Sequence, residues 1–157
     1  MIQVGDRLPE ATLIKVGESP EQVTTRDFFA GRRVALFAVP GAFTPTCSAK
    51  HLPGFIEHGT ALKAKGVDEV ACTAVNDPFV LGAWAKQNEA SGITMLADGN
   101  GTFADALGLS FDGGKFGMGK RSQRYSMIVN DGVVEQLNVE GPGEFKVSSA
   151  DYLLERL

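Results

Sequence analysis

Apolar runs of strand length recur along the chain. Residues 34–39, 70–75 and 93–97 are short, rich in apolar side chains and bounded by turn-forming residues, as is typical of strands buried in a sheet. The segments between these runs carry helix start and stop signals. Strands connected in this way by helices predict a sheet with a parallel centre.

The first connecting helix is expected to run from Thr44 to about Lys65. Pro53 and Gly54 lie inside it and are expected to bend or locally break it, because proline removes a backbone donor and crowds the preceding turn. A second helix is expected at residues 78–88, opened by an Asn-Asp-Pro sequence. Its apolar positions are Phe79, Leu81 and Trp84.

The second half of the chain adds a short helix at residues 102–107 and a hairpin. Residues 124–129 and 133–139 are apolar runs that flank Asn-Asp-Gly, a strong signal for a two-residue turn. A last helix is expected at residues 148–157. With short strands and one helical turn in the first 33 residues, the pattern predicts a single α/β domain over residues 1–157, with a central mixed sheet flanked by helices.

Composition narrows the possible partners. The 157 residues are 43% hydrophobic, and a net charge of −4 with a pI near 5.2 argues against a nucleic-acid or anionic-membrane partner. No stretch is long and apolar enough to span a bilayer, and the N-terminal residues have no apolar signal core. Two cysteines are too few for a disulfide framework, so we expect a protein with free thiols in a reducing compartment, most simply the cytoplasm.

One of these cysteines lies where a strand turns into a helix. Pro40 and Gly41 end the strand at residues 34–39, and Thr44 followed by proline has the composition of a helix start. Cys47 then falls in the first helical turn, where unpaired backbone N–H groups and the helix dipole favour an anion. We therefore expect Cys47 to carry a reactive thiolate rather than to serve as a small core residue.

The stretch around Cys47, Pro-Gly-Ala-Phe-Thr-Pro-Thr-Cys-Ser-Ala-Lys-His-Leu-Pro-Gly-Phe at residues 40–55, resembles the active-site segment of the peroxiredoxins, specifically the peroxiredoxin-5-like branch. Val-Asn-Asp at residues 75–77 and Arg-Tyr-Ser-Met at residues 124–127 support the resemblance. It implies a thioredoxin-like fold, thiol peroxidase activity without a cofactor or metal, and a homodimer. It also implies that the peroxide pocket is lined by Pro40, Thr44, Cys47 and Arg124.

In the reaction that this resemblance implies, the Cys47 thiolate attacks a hydroperoxide and becomes a sulfenic acid. No cysteine follows residue 139, and Ser148 stands about where some relatives carry a resolving cysteine. Cys72 is expected to be hidden in a strand, so we expect a one-cysteine cycle completed by an external thiol, glutathione or a glutaredoxin. The alternative cycle is an internal Cys47–Cys72 disulfide, which would require local unfolding. The alternative is a redox-sensing or chaperone-like binding protein that uses the same cysteine. The absence of a Cys-x-x-Cys pair argues against a thioredoxin-type reductase.

Three further features remain open on the residues alone. His51 lies one turn after Cys47 and suggests a Cys–His pair or half a metal site, although packing beside the helix is the simpler interpretation. Arg121 rivals Arg124 and is expected to support the site from behind. The glycine-dense residues 112–119 lack the strand and helix that a phosphate-binding loop requires, so we expect a surface loop.

Overall fold

The computed structural model describes all 157 residues and contains nine strands. They are β1 Thr12–Lys15, β2 Glu21–Thr24, β3 Arg33–Ala38, β4 Glu69–Ala74, β5 Thr94–Ala97, β6 Ser110–Asp112, β7 Lys120–Ser122, β8 Tyr125–Asn130 and β9 Val133–Val139. Seven of them form the central sheet, in the order β2-β1-β5-β4-β3-β8-β9. The three central strands β3, β4 and β5 are parallel, and the outer strands join them antiparallel. The predicted mixed sheet is therefore confirmed.

The helices cover both faces of this sheet. They are α1 Thr25–Phe29, α2 Leu52–Glu57, α3 Gly59–Ala64, α4 Pro78–Gln87, α5 Thr102–Leu107 and α6 Ala150–Glu155, with a π-helical turn at Cys47–His51 and a 3₁₀ turn at Gly114–Phe116. No helix has the length and the apolar composition needed to cross a membrane.

Each face of the sheet has its own apolar core, because successive side chains of a strand point to opposite faces. Phe37 and Cys72 are opposite one another on β3 and β4 and point into the core beneath α2, α4 and α6. Leu36 and Ala71, their neighbours in sequence, belong to the second core beneath α1 and α5. Cys47 is part of the first core, so the strand alternation decides which thiols share it.

The long helix predicted after Thr44 is interrupted next to Pro53, as expected. Pro53 is the second residue of α2, and Gly54 follows it inside the helix. The irregularity is the turn that precedes Pro53, where Leu52 donates its N–H to the Cys47 carbonyl five residues back. Pro53 has no N–H to continue an ordinary ladder, and the wider turn ahead of it accommodates that missing donor. A second break lies at His58, between α2 and α3.

The surface loop predicted at the glycine-dense residues 112–119 is confirmed, because residues 113–119 connect the antiparallel strands β6 and β7 and contain the 3₁₀ turn. The two flanking strands themselves were not predicted. In α4, Leu81 and Trp84 are buried as predicted, but Phe79 is 75% exposed. Phe79 is in the first turn of α4, before the helix packs against β5, so the apolar position does not reach the core.

Candidate active site

The loop after β3 brings Cys47 to the end of the sheet. Val39 donates its N–H to the Thr73 carbonyl, which continues the β3–β4 pairing for one residue. Ala42 then donates its N–H to the side-chain oxygen of Asn76 at 2.9 Å, fixing the loop to the end of β4. Phe43 has φ +67°, a left-handed conformation that is uncommon for a residue with a side chain. This constrained turn directs the chain back toward the sheet.

Cys47 lies near the start of the following helical segment. The first helical bond runs from Ser48 N–H to the Thr44 carbonyl at 3.0 Å, so the N–H groups of Thr46 and Cys47 precede it. The π-helical turn begins at Cys47 itself. Such turns occur often at functional sites, because the wider ring shifts the register of the side chains that precede it.

Two side chains donate hydrogen bonds to the Cys47 sulfur. The Thr44 hydroxyl lies 2.7 Å from Sγ, and Nη2 of Arg124 lies 3.0 Å from the same atom. The Thr44 hydroxyl is also 2.7 Å from the Gly41 carbonyl. It has a single proton, so it donates to the sulfur when the sulfur is a thiolate and to the carbonyl when the sulfur has its own proton. The family resemblance grouped Thr44 and Arg124 with Cys47, and the structure brings all three together.

A buried histidine holds the Arg124 guanidinium in place. Nη1 of Arg124 lies 2.8 Å from Nδ1 of His51, and Nε2 of His51 lies 2.9 Å from the Ser148 carbonyl. Burial, and then the charge of Arg124, lower the pKa of His51 to about 3, so its ring is neutral near neutral pH. Because arginine can only donate and a carbonyl can only accept, the contacts require the tautomer with its proton on Nε2.

The guanidinium of Arg124 forms no ion pair with a carboxylate, since none of the ion pairs in the structure includes it. Its guanidinium instead contacts a neutral imidazole, the Cys47 sulfur and the face of Phe145, whose ring centre is 5.8 Å away. The charge therefore remains available to a thiolate and to a substrate that becomes negative.

Arg121 lies behind the site, as the sequence suggested. It donates to the Val75 carbonyl at 2.9 Å and to the Met118 carbonyl at 2.8 Å, so it ties the β6–β7 segment to the end of β4. Neither contact involves the sulfur. Arg124 contacts the sulfur and Arg121 contacts only backbone carbonyls, a difference that the sequence alone did not show.

The sulfur is more enclosed than a residue at a turn was expected to be. Cys47 has no exposed surface, whereas Pro40, Thr44 and Arg124 are each partly exposed. Two surface grooves, of about 420 and 570 Å³, are lined by other residues. Neither of them opens at Cys47, so the enclosed sulfur suits a small substrate.

The second thiol has a different environment. Cys72 is fully buried at the centre of β4, has no hydrogen-bond partner, and its pKa is raised by burial and by the neighbouring Cys47. Ser148 is also fully buried, and its hydroxyl donates to Oε2 of Glu140 at 2.6 Å. Neither side chain is presented to Cys47 as a second reactive group.

The sequence analysis missed the contact between His51 and Arg124. It identified His51 only as a neighbour of Cys47, yet the ring binds an arginine 73 residues away. The signal that could have predicted this contact is that His51 falls on the buried side of the helix, where a polar side chain needs a hydrogen-bond partner. A metal site at His51 is not formed, since no three His, Cys, Asp or Glu side chains come together in the structure.

The comparisons with known proteins agree with this geometry. The family model described as Redoxin matches residues 3–154. The chain is 48% identical to Peroxiredoxin-2B of Arabidopsis thaliana, over 99% of the chain and 98% of that protein. Among solved structures, reduced Prx3 of Vibrio vulnificus in complex with H₂O₂ matches with a TM-score of 0.97 and 51% identity, over 99% of both chains. Peroxiredoxin 5 of Alvinella pompejana matches with a TM-score of 0.88 and 35% identity, over 99% of this chain and 97% of that one.

Proposed function

This chain belongs to the redoxin family, as a peroxiredoxin of the peroxiredoxin-5-like branch with a thioredoxin-like fold, and we propose that Cys47 is the residue with which it reduces hydroperoxides. Peroxiredoxins are thiol peroxidases, and this chain is one of them. The observation that supports the choice of Cys47 is the convergence of Thr44 and Arg124 on its sulfur, at 2.7 and 3.0 Å. Cys72 has no such donors.

In the proposed reaction the Cys47 thiolate attacks the terminal oxygen of hydrogen peroxide or an organic hydroperoxide. The S–O bond forms as the O–O bond breaks, the sulfur is oxidised by two electrons, and the leaving oxygen takes a proton to become water or an alcohol. Arg124 and Thr44 donate to the sulfur before attack and to the peroxide oxygens as their negative charge grows. Pro40, at the edge of the approach, limits the access of water.

We also propose a one-cysteine cycle. Cys72 lies in the core and the Ser148 hydroxyl is engaged with Glu140, so no second side chain is poised to resolve the sulfenic acid. An external thiol condenses with it, giving a mixed disulfide and water, and a second thiol then releases the Cys47 thiol. Glutathione and a glutaredoxin are the proposed reductants, because they supply this pair of thiols.

We propose that the protein acts in the cytoplasm and binds neither nucleic acid nor a membrane. We also propose that it forms a homodimer.

Three exposed phenylalanine side chains support the dimer. Phe43, Phe79 and Phe116 are 48%, 75% and 79% exposed. They lie on segments that meet around the Cys47 loop, since Ala42 contacts Asn76 and a Cβ on Gly41 would lie 3.4 Å from the Met118 side chain. A rim of exposed aromatic rings favours burial against another copy. Light scattering on the wild type and on Phe79→Ser tests the dimer.

The peroxidase proposal is tested by stopped-flow oxidation with H₂O₂. The indole N–H of Trp84 donates to the hydroxyl of Ser48, next to Cys47, so the fluorescence of this single tryptophan reports the state of the site. We expect fast second-order oxidation that disappears in Cys47→Ser and, with glutathione and a glutaredoxin, repeated turnover.

One observation favours a second function, that of a redox sensor or chaperone-like binding protein. Cys47 has no exposed surface, and an enclosed thiol suits a slow response to oxidants. In that case Cys47 reacts with H₂O₂ no faster than free cysteine does, and added glutathione does not sustain turnover. The same stopped-flow series therefore separates the two functions.

A further inference from the structure

A buried carboxylate lies behind the site, with no contact to Cys47. Glu140 follows β9 and is 6% exposed. Its two side-chain oxygens accept hydrogen bonds from the backbone N–H groups of Lys146, Val147 and Ser148, all at 2.8–2.9 Å, and from the Ser148 hydroxyl. It thereby holds the C-terminal strap, which we define as residues 141–149 between β9 and α6.

The density of these bonds shows that the carboxylate is built into the fold as an ion. Burial alone would raise the pKa of Glu140, but the four hydrogen bonds to the strap outweigh burial and lower it. All four donors reach Oε2, and the Lys146 N–H also reaches Oε1. A neutral amide with its carbonyl oxygen at the Oε2 position would accept weaker, uncharged bonds, and its NH₂ group would face the Lys146 N–H. A negatively charged group at this position therefore holds the strap more firmly than a neutral one.

The strap in turn contacts the residues around the sulfur. The Ser148 carbonyl accepts the Nε2 proton of His51, and the Phe145 ring packs against His51 with centres 5.1 Å apart. The other ring nitrogen of His51 accepts from Arg124. A second connection runs through the backbone, where Glu140 donates its N–H to the Arg124 carbonyl at 2.9 Å.

We infer that Glu140 is a positioning residue for peroxide reduction, because by fixing the strap it presents the Ser148 carbonyl that orients His51, which holds the Arg124 guanidinium on the Cys47 sulfur. This inference rests on the proposed role of Cys47. Glu140 touches neither the sulfur nor the peroxide approach, so it acts only through the geometry of Arg124. Preorganised donors lose most of their effect when displaced by about 1 Å.

Glu140→Gln is the variant that tests this inference, and Glu144→Gln is its matched control. Glu144 belongs to the same strap, but its side chain is 43% exposed and pairs only with Lys146 at the surface. We expect Glu140→Gln to lower the second-order rate constant for H₂O₂ by roughly 10- to 100-fold. Glu144→Gln is expected to stay within about twofold of the wild type, because exposed pairs contribute little.

The tautomer of His51 tells whether Glu140 positions the site or only stabilises the fold. The chain has two histidines, so ¹⁵N-histidine spectra contain two rings, which His58→Gln assigns. The wild type is expected to show His51 with its proton on Nε2, and Glu140→Gln is expected to show a mixture of tautomers. A wild-type rate in folded Glu140→Gln overturns the inference, and so does a slower rate with an unchanged His51 tautomer.

If Glu140→Gln does not fold, Glu140→Asp serves instead, since it keeps the charge and withdraws the oxygens by one methylene. We expect a several-fold slower reaction and a partly mixed tautomer. A wild-type rate and tautomer in Glu140→Asp overturn the inference. Failure of the proposed function is recognised separately, because the wild type itself would then lack fast oxidation at Cys47.

Discussion

Cys47 and Cys72 share one apolar core, and neither has any exposed surface. They differ in the polar groups around them. Two donors reach the Cys47 sulfur, and one carries a positive charge, whereas Cys72 lies between strands without a hydrogen-bond partner. Equal burial therefore leaves the two thiols in different polar environments. What differs is whether the fold supplies donors that stabilise the anion.

Replacing Cys47 by serine is the largest expected effect. The hydroxyl does not form the thiolate on which the reaction depends, so we expect peroxidase activity to be abolished. The measurement is peroxide consumption with glutathione and a glutaredoxin present. Activity that survives in Cys47→Ser would move the reactive thiol to Cys72.

The two arginines provide the next test of the comparison. We expect Arg124→Ala to slow oxidation of the protein by H₂O₂ by roughly 10²–10³-fold, because it removes a charged donor from the sulfur and from the developing charge. Arg121→Ala is the matched control, since Arg121 donates only to backbone carbonyls. A larger loss in Arg121→Ala than in Arg124→Ala contradicts the assignment.

Thr44 carries the neutral half of the donor set. Thr44→Val keeps the shape and removes the hydroxyl, and we expect a loss of roughly 10- to 100-fold in the same rate constant. Thr44→Ser keeps the hydroxyl and is expected to retain most of the rate. Equal rates in the two variants would show that the methyl group, and not the hydroxyl, matters at this position.

The neutral state of His51 gives a pH dependence of stability. The folded-state pKa of His51 is about 3, well below the ordinary value of 6.5, so the unfolded chain binds a proton that the folded chain does not. The stabilisation is complete above pH 6.5 and is lost as the pH falls toward 3. Between pH 7 and pH 5 we expect a loss of roughly 2 kcal/mol in the free energy of unfolding.

Urea unfolding followed by the fluorescence of Trp84 measures this loss, with His51→Gln as the control. The variant is expected to be less stable at pH 7 and to change less between pH 7 and pH 5. An equal change in the free energy of unfolding between pH 7 and pH 5 in both proteins would mean that His51 is protonated in the folded state. A protonated His51 is incompatible with its contact to Arg124.

Cys72→Ala is the smallest expected effect. It removes the thiol without placing an unpaired hydroxyl in the core, and we expect the rate of peroxide consumption to stay within about twofold of the wild type. The assay is the same glutathione-based turnover. Loss of turnover in the Cys72→Ala variant would contradict the one-cysteine cycle and indicate a cycle that needs both thiols.

The seven strands of the central sheet and most helix ends were predictable because they follow from local patterns, whereas the short pair β6 and β7 was not predicted. The apolar run over β3 and the Asn-Asp-Gly turn between β8 and β9 each specify their conformation through nearby residues. The sequence also placed Cys47 at the turn after β3, and the structure has it there. The order of strands in the sheet was beyond it, since several orders satisfy the same alternation.

The inner structure of the site was not predictable, because its contacts join residues distant in sequence. His51 and Arg124 meet only after β8 pairs with β3, and Glu140 reaches Ser148 only after the strap closes. The π-helical turn depends on Pro53 together with the packing of α2, so proline alone predicted a local break but not its π-helical geometry. Enclosure of Cys47 likewise follows from tertiary packing.

The difference between the two thiols is tested most directly by mass spectrometry after one equivalent of H₂O₂. The account predicts a sulfenic acid on Cys47, trapped by dimedone, an unmodified Cys72, and a mixed disulfide on Cys47 when glutathione is present. A disulfide between Cys47 and Cys72, or oxidation of the two thiols to the same extent, would contradict it.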